Sequence, residues 1–100
     1  MKYRSRSEIV RSILEAANVS GGTSRTRLMY KSYLAFNQLK EYLGSLQENG
    51  LIEYEVGKRS YRITQKGVRL LQLQTKMEEI APINYIDMKN SLITKVTTTS

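Results

Sequence analysis

Residues 34–43 read LAFNQLKEYL, and they are followed by NGLI at residues 49–52 and VGKR at residues 56–59. The first segment spaces its apolar residues as a helix does and leaves a polar outer face. The second segment contains Asn-Gly, a dipeptide that typically ends a helix, and the third is a cationic turn. A short helix with a polar face beside a basic hairpin fits a DNA groove and its flanking phosphates. Binding to double-stranded DNA is therefore our leading functional hypothesis.

The hairpin is predicted from alternation on either side of the basic turn. Residues 52–55 and 60–63 each alternate apolar and polar side chains, which is typical of two strands with one buried face. The tip is residues 56–59. If the strands pair directly outside this tip, Glu53 lies across from Arg62. We therefore expect Arg62 to form a cross-strand ion pair rather than a DNA contact.

Three helices are predicted before the hairpin. The first runs from an N-cap at Ser7 to about Asn18, and the second runs from about Arg25 to Ser32, capped by Thr23 or Ser24. In the third helix the apolar residues recur at i, i+3, i+7 and i+10. These residues are Phe36, Leu39, Leu43 and Leu46, and we expect all of them to face the core. The dipeptide at residues 49–50 ends this helix.

A fourth helix is predicted after the hairpin, with Thr64 as its cap, and Pro82 either kinks or ends it. Val68 and Leu71 can close the core of the domain. A second apolar stripe has the three-four-three spacing of a heptad seam, and it consists of Leu70, Leu73, Met77 and Ile80. A domain of this size has no evident use for a second stripe, so we predict a homodimer built on this helix.

These elements predict an α+β, mainly helical fold: a winged helix-turn-helix with three helices, a β-hairpin wing and a longer C-terminal helix. We divide the chain into a basic N-terminal arm (residues 1–6), the winged helix domain (7–64), a C-terminal dimerisation helix (65–81) and a tail (82–100). The sequence does not indicate the structure of the tail.

Charge and composition narrow the possible functions. The chain has 100 residues and a formal net charge of +7, which favours a polyanionic partner. The positive charge is concentrated in residues 1–34, which contain seven Lys or Arg against two Glu. Cysteine and histidine are absent, which excludes disulfides, zinc-finger chemistry and histidine-dependent catalysis. We expect no metal and no cofactor, and no effector ligand is indicated.

Location is predicted from the same composition. No apolar run approaches the roughly 18 residues that a membrane-spanning helix needs. The basic N-terminus also lacks the apolar stretch of a signal peptide. We therefore expect a soluble cytoplasmic protein, associated with the nucleoid if it binds DNA, and no membrane partner.

Several of these segments together also resemble a known family. The stretches SEIV at residues 7–10, TRLMY at 26–30, QLKEYL at 38–43, NGLI at 49–52 and YRITQKG at 61–67 are similar to those of small archaeal winged-helix DNA-binding proteins. The likeness covers about residues 5–80. It implies a C-terminal helix that pairs antiparallel with its twin, giving a dimer with two separated DNA-binding heads. The chain departs from the family at Ala35, where Ser is usual, and at Pro82, which shortens the last helix.

Candidate DNA-binding residues fall into two groups. Amide side chains can pair with adenine and Lys can reach guanine, so the base-reading candidates are Asn37, Gln38 and Lys40. Cations and hydroxyls at a helix start or a turn tip suit phosphates instead. The phosphate candidates are Ser24, Arg25, Thr26, Arg27, Lys31, Lys58 and Arg59. The simpler interpretation of both groups is a solvated surface.

Two other classes of function compete with DNA binding. A winged helix can serve as a protein-protein interaction module whose basic face only aids solubility. An enzyme is disfavoured, because acidic residues such as Glu15, Glu48 and Glu78 lie on separate predicted helices and form no paired site.

Overall fold

The structure is a computed structural model that describes residues 4–80. Its elements are α1 (Arg6–Ala17), α2 (Arg25–Ser32), α3 (Phe36–Glu48), β1 (Ile52–Glu55), β2 (Ser60–Ile63) and α4 (Gln65–Ile80). The two strands form one antiparallel hairpin. The predicted fold class, with three helices, a wing and a longer last helix, is confirmed. Residues 1–3 of the predicted arm and the predicted tail lie outside the described residues, and the proposed domain boundaries remain predictions.

Helix α1 begins earlier than predicted. Ser5, not Ser7, is its N-cap, because the Ser5 hydroxyl accepts the Glu8 N–H at 3.1 Å while the Glu8 carboxylate accepts the Ser5 N–H at 3.0 Å. This reciprocal pair satisfies two backbone donors, whereas a cap at Ser7 would place apolar Val10 at the third helical position. The Arg4 guanidinium donates to the Ser32 carbonyl oxygen. Residues 4–6 of the predicted arm are therefore attached to the folded domain.

The core lies between the three N-terminal helices and the base of the hairpin. Its buried members are Ile13, Ala17, Leu28, Leu34, Leu39, Leu43, Leu46 and Ile52. The prediction that Phe36 belongs to this core is wrong, since Phe36 is 40% exposed. It is the first residue of α3, where the chain is still approaching the core. Leu34, in the preceding turn, is buried instead.

The hairpin has the predicted register. Glu53 pairs with Arg62, and the Arg62 Nη2 lies 3.2 Å from the Glu53 Oε1. The burial pattern of the hairpin differs from the predicted one, in which a single apolar face is buried. Ser60 is buried, whereas Tyr54 is 39% exposed and packs against Tyr61. Tyr61 also forms a backbone bridge with Thr23, with N–H to oxygen distances of 2.9 and 2.7 Å. This bridge attaches the wing to the loop between α1 and α2.

Helix α4 begins at a well-defined cap. The Thr64 hydroxyl accepts the Gly67 N–H at 3.0 Å and donates to the Gly50 carbonyl at 2.6 Å, as expected of an N-cap. Gly67 itself is buried. A Cβ on Gly67 would collide with the Leu51 carbonyl oxygen and would lie 2.7 Å from the Ile63 Cγ1. This glycine therefore allows α4 to pack directly on the chain that leaves α3.

Helix α4 is also held against α1 by an ion pair. The Arg11 guanidinium contacts both Glu15, in its own helix, and Glu78 in α4. Burial lowers the pKa of Arg11, but the hydrogen bonds and charges of Glu78 and Glu15 outweigh burial and raise that pKa. Because this pKa is raised, the contribution is present while Arg11 and its two carboxylate partners are charged, and it is lost as the pH rises through the pKa of Arg11.

The second apolar stripe of α4 is uncovered in the monomer. Leu70 is half-buried, while Leu73, Met77 and Ile80 are 61%, 46% and 83% exposed. Val68 and Leu71 face the domain, as predicted, with Leu71 buried and Val68 half-buried. None of the helices within residues 4–80 is long and apolar enough to cross a membrane.

Candidate nucleic-acid interface

Helices α2 and α3 are joined by a turn of three residues, 33–35. Tyr33 adopts the left-handed conformation (φ 56°, ψ 40°), and its N–H donates to the Met29 carbonyl oxygen. Leu34 then enters the core and Ala35 is extended. The left-handed residue reverses the chain, and the buried Leu34 anchors it. Together they fix the start of α3 beside α2.

The outer face of α3 is a shallow polar groove. Asn37 and Lys40, two of the predicted base-reading residues, line it together with Glu41, Gly44, Ser45 and Glu48. A Cβ on Gly44 would meet no atom within 4 Å. Packing within residues 4–80 therefore does not require glycine at position 44. The missing side chain makes the groove deeper.

Gln38, the third base-reading candidate, has a structural contact. Its side-chain oxygen accepts the Ala35 N–H at 3.1 Å. Ala35 has no side-chain acceptor of its own, so α3 has only half of the reciprocal cap that α1 has. Gln38 also lines a different groove, shared with Arg6 and Tyr42. Its amide nitrogen remains the group available to donate to a ligand.

The start of α2 lies next to the start of α3. The Arg25 guanidinium sits 4.8 Å from the centroid of the Phe36 ring, which joins the first residues of the two helices. The Ser24 hydroxyl caps α2 by accepting the Arg27 N–H at 3.2 Å. Thr26, Arg27 and Lys31 are exposed. In the part of the chain that the structure describes, no carboxylate forms an ion pair with the cations of α2.

The wing tip presents two further cations. Lys58 and Arg59 are exposed, and the Arg59 N–H closes the turn by donating to the Val56 carbonyl oxygen at 3.2 Å. Arg59 is left-handed at φ 51°. Arg62, by contrast, is engaged by Glu53 and lies 3.9 Å from Glu55, as the cross-strand prediction required. The tip therefore carries the wing's available positive charge.

All ten predicted DNA-contact residues are exposed. Exposure is necessary for binding but does not establish it. The structure places Arg25 beside the start of α3 and sets Asn37 and Lys40 in one groove. Gln38 lines an adjoining groove, which shares Glu41 and Ser45 with the first. The sequence analysis assigned Arg4 and Arg6 to the N-terminal arm and not to the folded domain, because the true cap of α1 was not recognised. The Ser5 and Glu8 spacing was the signal that could have found them.

Comparisons with known proteins agree with this geometry. A family model described as winged helix-turn-helix matches residues 3–82. Among solved structures, the chain is similar to Sso10a-2, a DNA-binding protein from Sulfolobus solfataricus, with 26% identity, a TM-score of 0.65 and 96% of each chain covered. No curated protein matches the sequence. Because the family model covers most of its length, the chain belongs to the winged helix-turn-helix family.

Proposed function

We propose that this protein binds double-stranded DNA, with α3 in the major groove and with the start of α2 and the wing tip on the phosphates. The observation that carries the proposal is the set of exposed cations on α2 and the wing, which no carboxylate within residues 4–80 neutralises by ion pairing. The similarity to a DNA-binding protein from Sulfolobus solfataricus supports it.

The groove of α3 and the cationic regions on α2 and the wing differ in charge, and we propose different roles for them. The groove of α3 contains one cation, Lys40, against Glu41 and Glu48, so it has little general attraction for phosphate. In the proposed binding mode the cations of α2 and the wing contact the DNA on either side of this groove. Phosphate contacts from these flanking cations would supply most of the affinity. Asn37 and Lys40 would supply any sequence preference, with Gln38 donating from its free amide nitrogen.

The protein is further proposed to be a homodimer. Leu73, Met77 and Ile80 form an exposed apolar stripe on α4, and Leu70 continues it. Pairing this helix with its twin would remove the stripe from water and separate two DNA-binding heads. Such a dimer would act in the cytoplasm, associated with the nucleoid, as an archaeal-type transcription regulator or a chromatin-like architectural protein. A regulator would prefer one duplex sequence, whereas an architectural protein would bind all sequences alike.

The wing provides the direct test of this proposal. Reversing both tip charges, in Lys58→Glu/Arg59→Glu, should weaken binding to every duplex and reduce the salt slope of the affinity by about 2, at about 1 per phosphate contact. Fluorescence anisotropy with a labelled mixed-sequence duplex measures both quantities. Arg69→Glu/Lys76→Glu on α4 is the charge-matched control, since both residues are exposed and the net charge changes equally, and it is used once sedimentation shows the same oligomeric state as the unmodified protein. Equal losses in the two variants would remove the wing from the mechanism.

One observation favours the alternative function, a protein-protein interaction module. The two carboxylates on the outer face of α3, Glu41 and Glu48, would oppose a phosphate backbone but suit a basic protein partner. If the protein fails to bind any duplex at low salt and Glu41→Lys abolishes capture of a partner, this alternative replaces DNA binding.

A further inference from the structure

The turn between α2 and α3 exposes an unusual set of aromatic rings. Tyr30 is 75% exposed, Tyr33 is 85% exposed and Phe36 is 40% exposed. All three lie within seven consecutive residues, at the end of α2, in the turn and at the start of α3. None of them belongs to the buried core, and the proposed contacts with duplex DNA do not use them.

Neither capping nor packing accounts for the tyrosine at position 33. Its backbone is left-handed, a conformation that Gly adopts freely at the end of a helix and that is strained for a bulky side chain. The side chain is almost fully in solvent, so its burial does not compensate for the strain. A glycine would end α2 at least as well. The exposed ring is therefore available for contact with another molecule, in addition to the one guanidinium that lies near it.

Two arginines lie against these rings. The Arg4 guanidinium is 5.9 Å from the centroid of the Tyr33 ring, and the Arg25 guanidinium is 4.8 Å from that of Phe36. Arg4 is held in position because it also donates to the Ser32 carbonyl oxygen. Tyr33 and Phe36 each therefore have a guanidinium beside the ring. Tyr30 lies in the last turn of α2, and Tyr33 follows three residues later at its left-handed end.

Unpaired nucleobases are the ligands that match this surface. A base in a duplex presents only its edges, but a base in a single strand can stack on an aromatic ring while its phosphate meets a nearby cation. We propose that the turn between α2 and α3 is a binding site for single-stranded DNA. Tyr30 and Tyr33 stack on two bases, and Arg4 and Arg25 contact the phosphates. This site lies outside the proposed duplex-reading groove on α3, and it shares Arg25 with the proposed duplex phosphate contacts.

The test uses the full-length chain and a labelled oligothymidine of about 12 nucleotides, within the usual range of site sizes. Tyr30→Ala/Tyr33→Gly should weaken its binding by about fivefold or more for each stacked base. The control is Tyr54→Ala, which removes an exposed tyrosine from the hairpin. It should leave binding within about twofold of the unmodified protein. Unchanged affinity in the double variant, or an equal loss in the control, would overturn the proposal.

A stability measurement excludes simple unfolding as the cause of lost binding. Tyr33→Gly alone relieves the left-handed strain, so its melting temperature should be no lower than that of the unmodified protein while its affinity for oligothymidine falls. Binding of oligouridine with none of oligothymidine would also overturn the proposal and indicate RNA instead. Because the double variant keeps the wing and the groove of α3, its duplex affinity should persist. A failure of the single-strand proposal is thus distinguishable from a failure of the proposed duplex binding.

Discussion

The two helical glycines at positions 44 and 67 should respond in opposite ways to the same substitution. Alanine is more favourable than glycine in a helix interior by about 0.8–1.0 kcal/mol. At Gly44 the new Cβ would meet no atom within 4 Å. Gly44→Ala should therefore gain this full amount, and the melting temperature of a domain of this size should rise by roughly 4–8 °C.

At Gly67 the new methyl group has no space. It would collide with the Leu51 backbone carbonyl and lie 2.7 Å from the Ile63 Cγ1, so α4 must move away from the chain beneath it. Overpacking of this kind costs about 1–3 kcal/mol, and a backbone neighbour gives way less readily than a side chain. Because the neighbour is backbone, we take the upper part of this range, about 2–3 kcal/mol, and after the helix-propensity gain Gly67→Ala should be less stable by about 1–2 kcal/mol.

Urea unfolding followed by circular dichroism measures both variants on one scale. The free energies of unfolding should differ by about 2–3 kcal/mol between Gly44→Ala and Gly67→Ala, with similar slopes in denaturant. If Gly67→Ala were as stable as Gly44→Ala, the close packing of α4 on the segment after α3 would be refuted. If Gly44→Ala were destabilised, the open groove on α3 would be refuted.

Three further predictions concern the helix caps and the exposed face of α4. Ala35→Ser supplies the missing acceptor at the start of α3 and should stabilise the fold by about 1 kcal/mol in thermal unfolding; a loss of stability would contradict the described turn. Thr64→Ala removes the hydroxyl that accepts the first-turn N–H of α4, and it should cost about 1 kcal/mol by the same assay, so an unchanged midpoint would count against this cap. Leu73→Glu/Met77→Glu places charges on the exposed stripe and should convert a dimer to a folded monomer in sedimentation. A monomeric unmodified protein would reject the dimer.

The sequence indicated most of the fold because its signals are local. The start of α2 was predictable from Ser24, and the pairing of Glu53 with Arg62 followed from strict alternation about a four-residue tip. Apolar periodicity identified α3, yet it also placed Phe36 in the core. Periodicity fixes the direction of a side chain around the helix axis, but not how closely the helix end approaches the core.

The candidate site was less predictable than the fold. Helical spacing placed Asn37 and Lys40 on one outer face, but nothing in that spacing indicated that Gln38 would accept a backbone N–H in place of a missing cap. The left-handed backbone of Tyr33 was also unforeseen, since glycine is the usual residue there. Contacts such as that of Arg4 with Ser32 join residues far apart in sequence and depend on the assembled fold.

The salt dependence of duplex affinity tests the central claim most directly. The proposed phosphate contacts include five exposed cations in each chain, namely Arg25, Arg27, Lys31, Lys58 and Arg59. At about 0.9 per neutralised phosphate, the logarithm of the affinity should fall with the logarithm of the salt concentration with a slope of about −4.5 for each head. Anisotropy titrations of a mixed-sequence duplex across a range of salt concentrations give this slope. A slope near zero, or no binding even at low salt, would contradict the account.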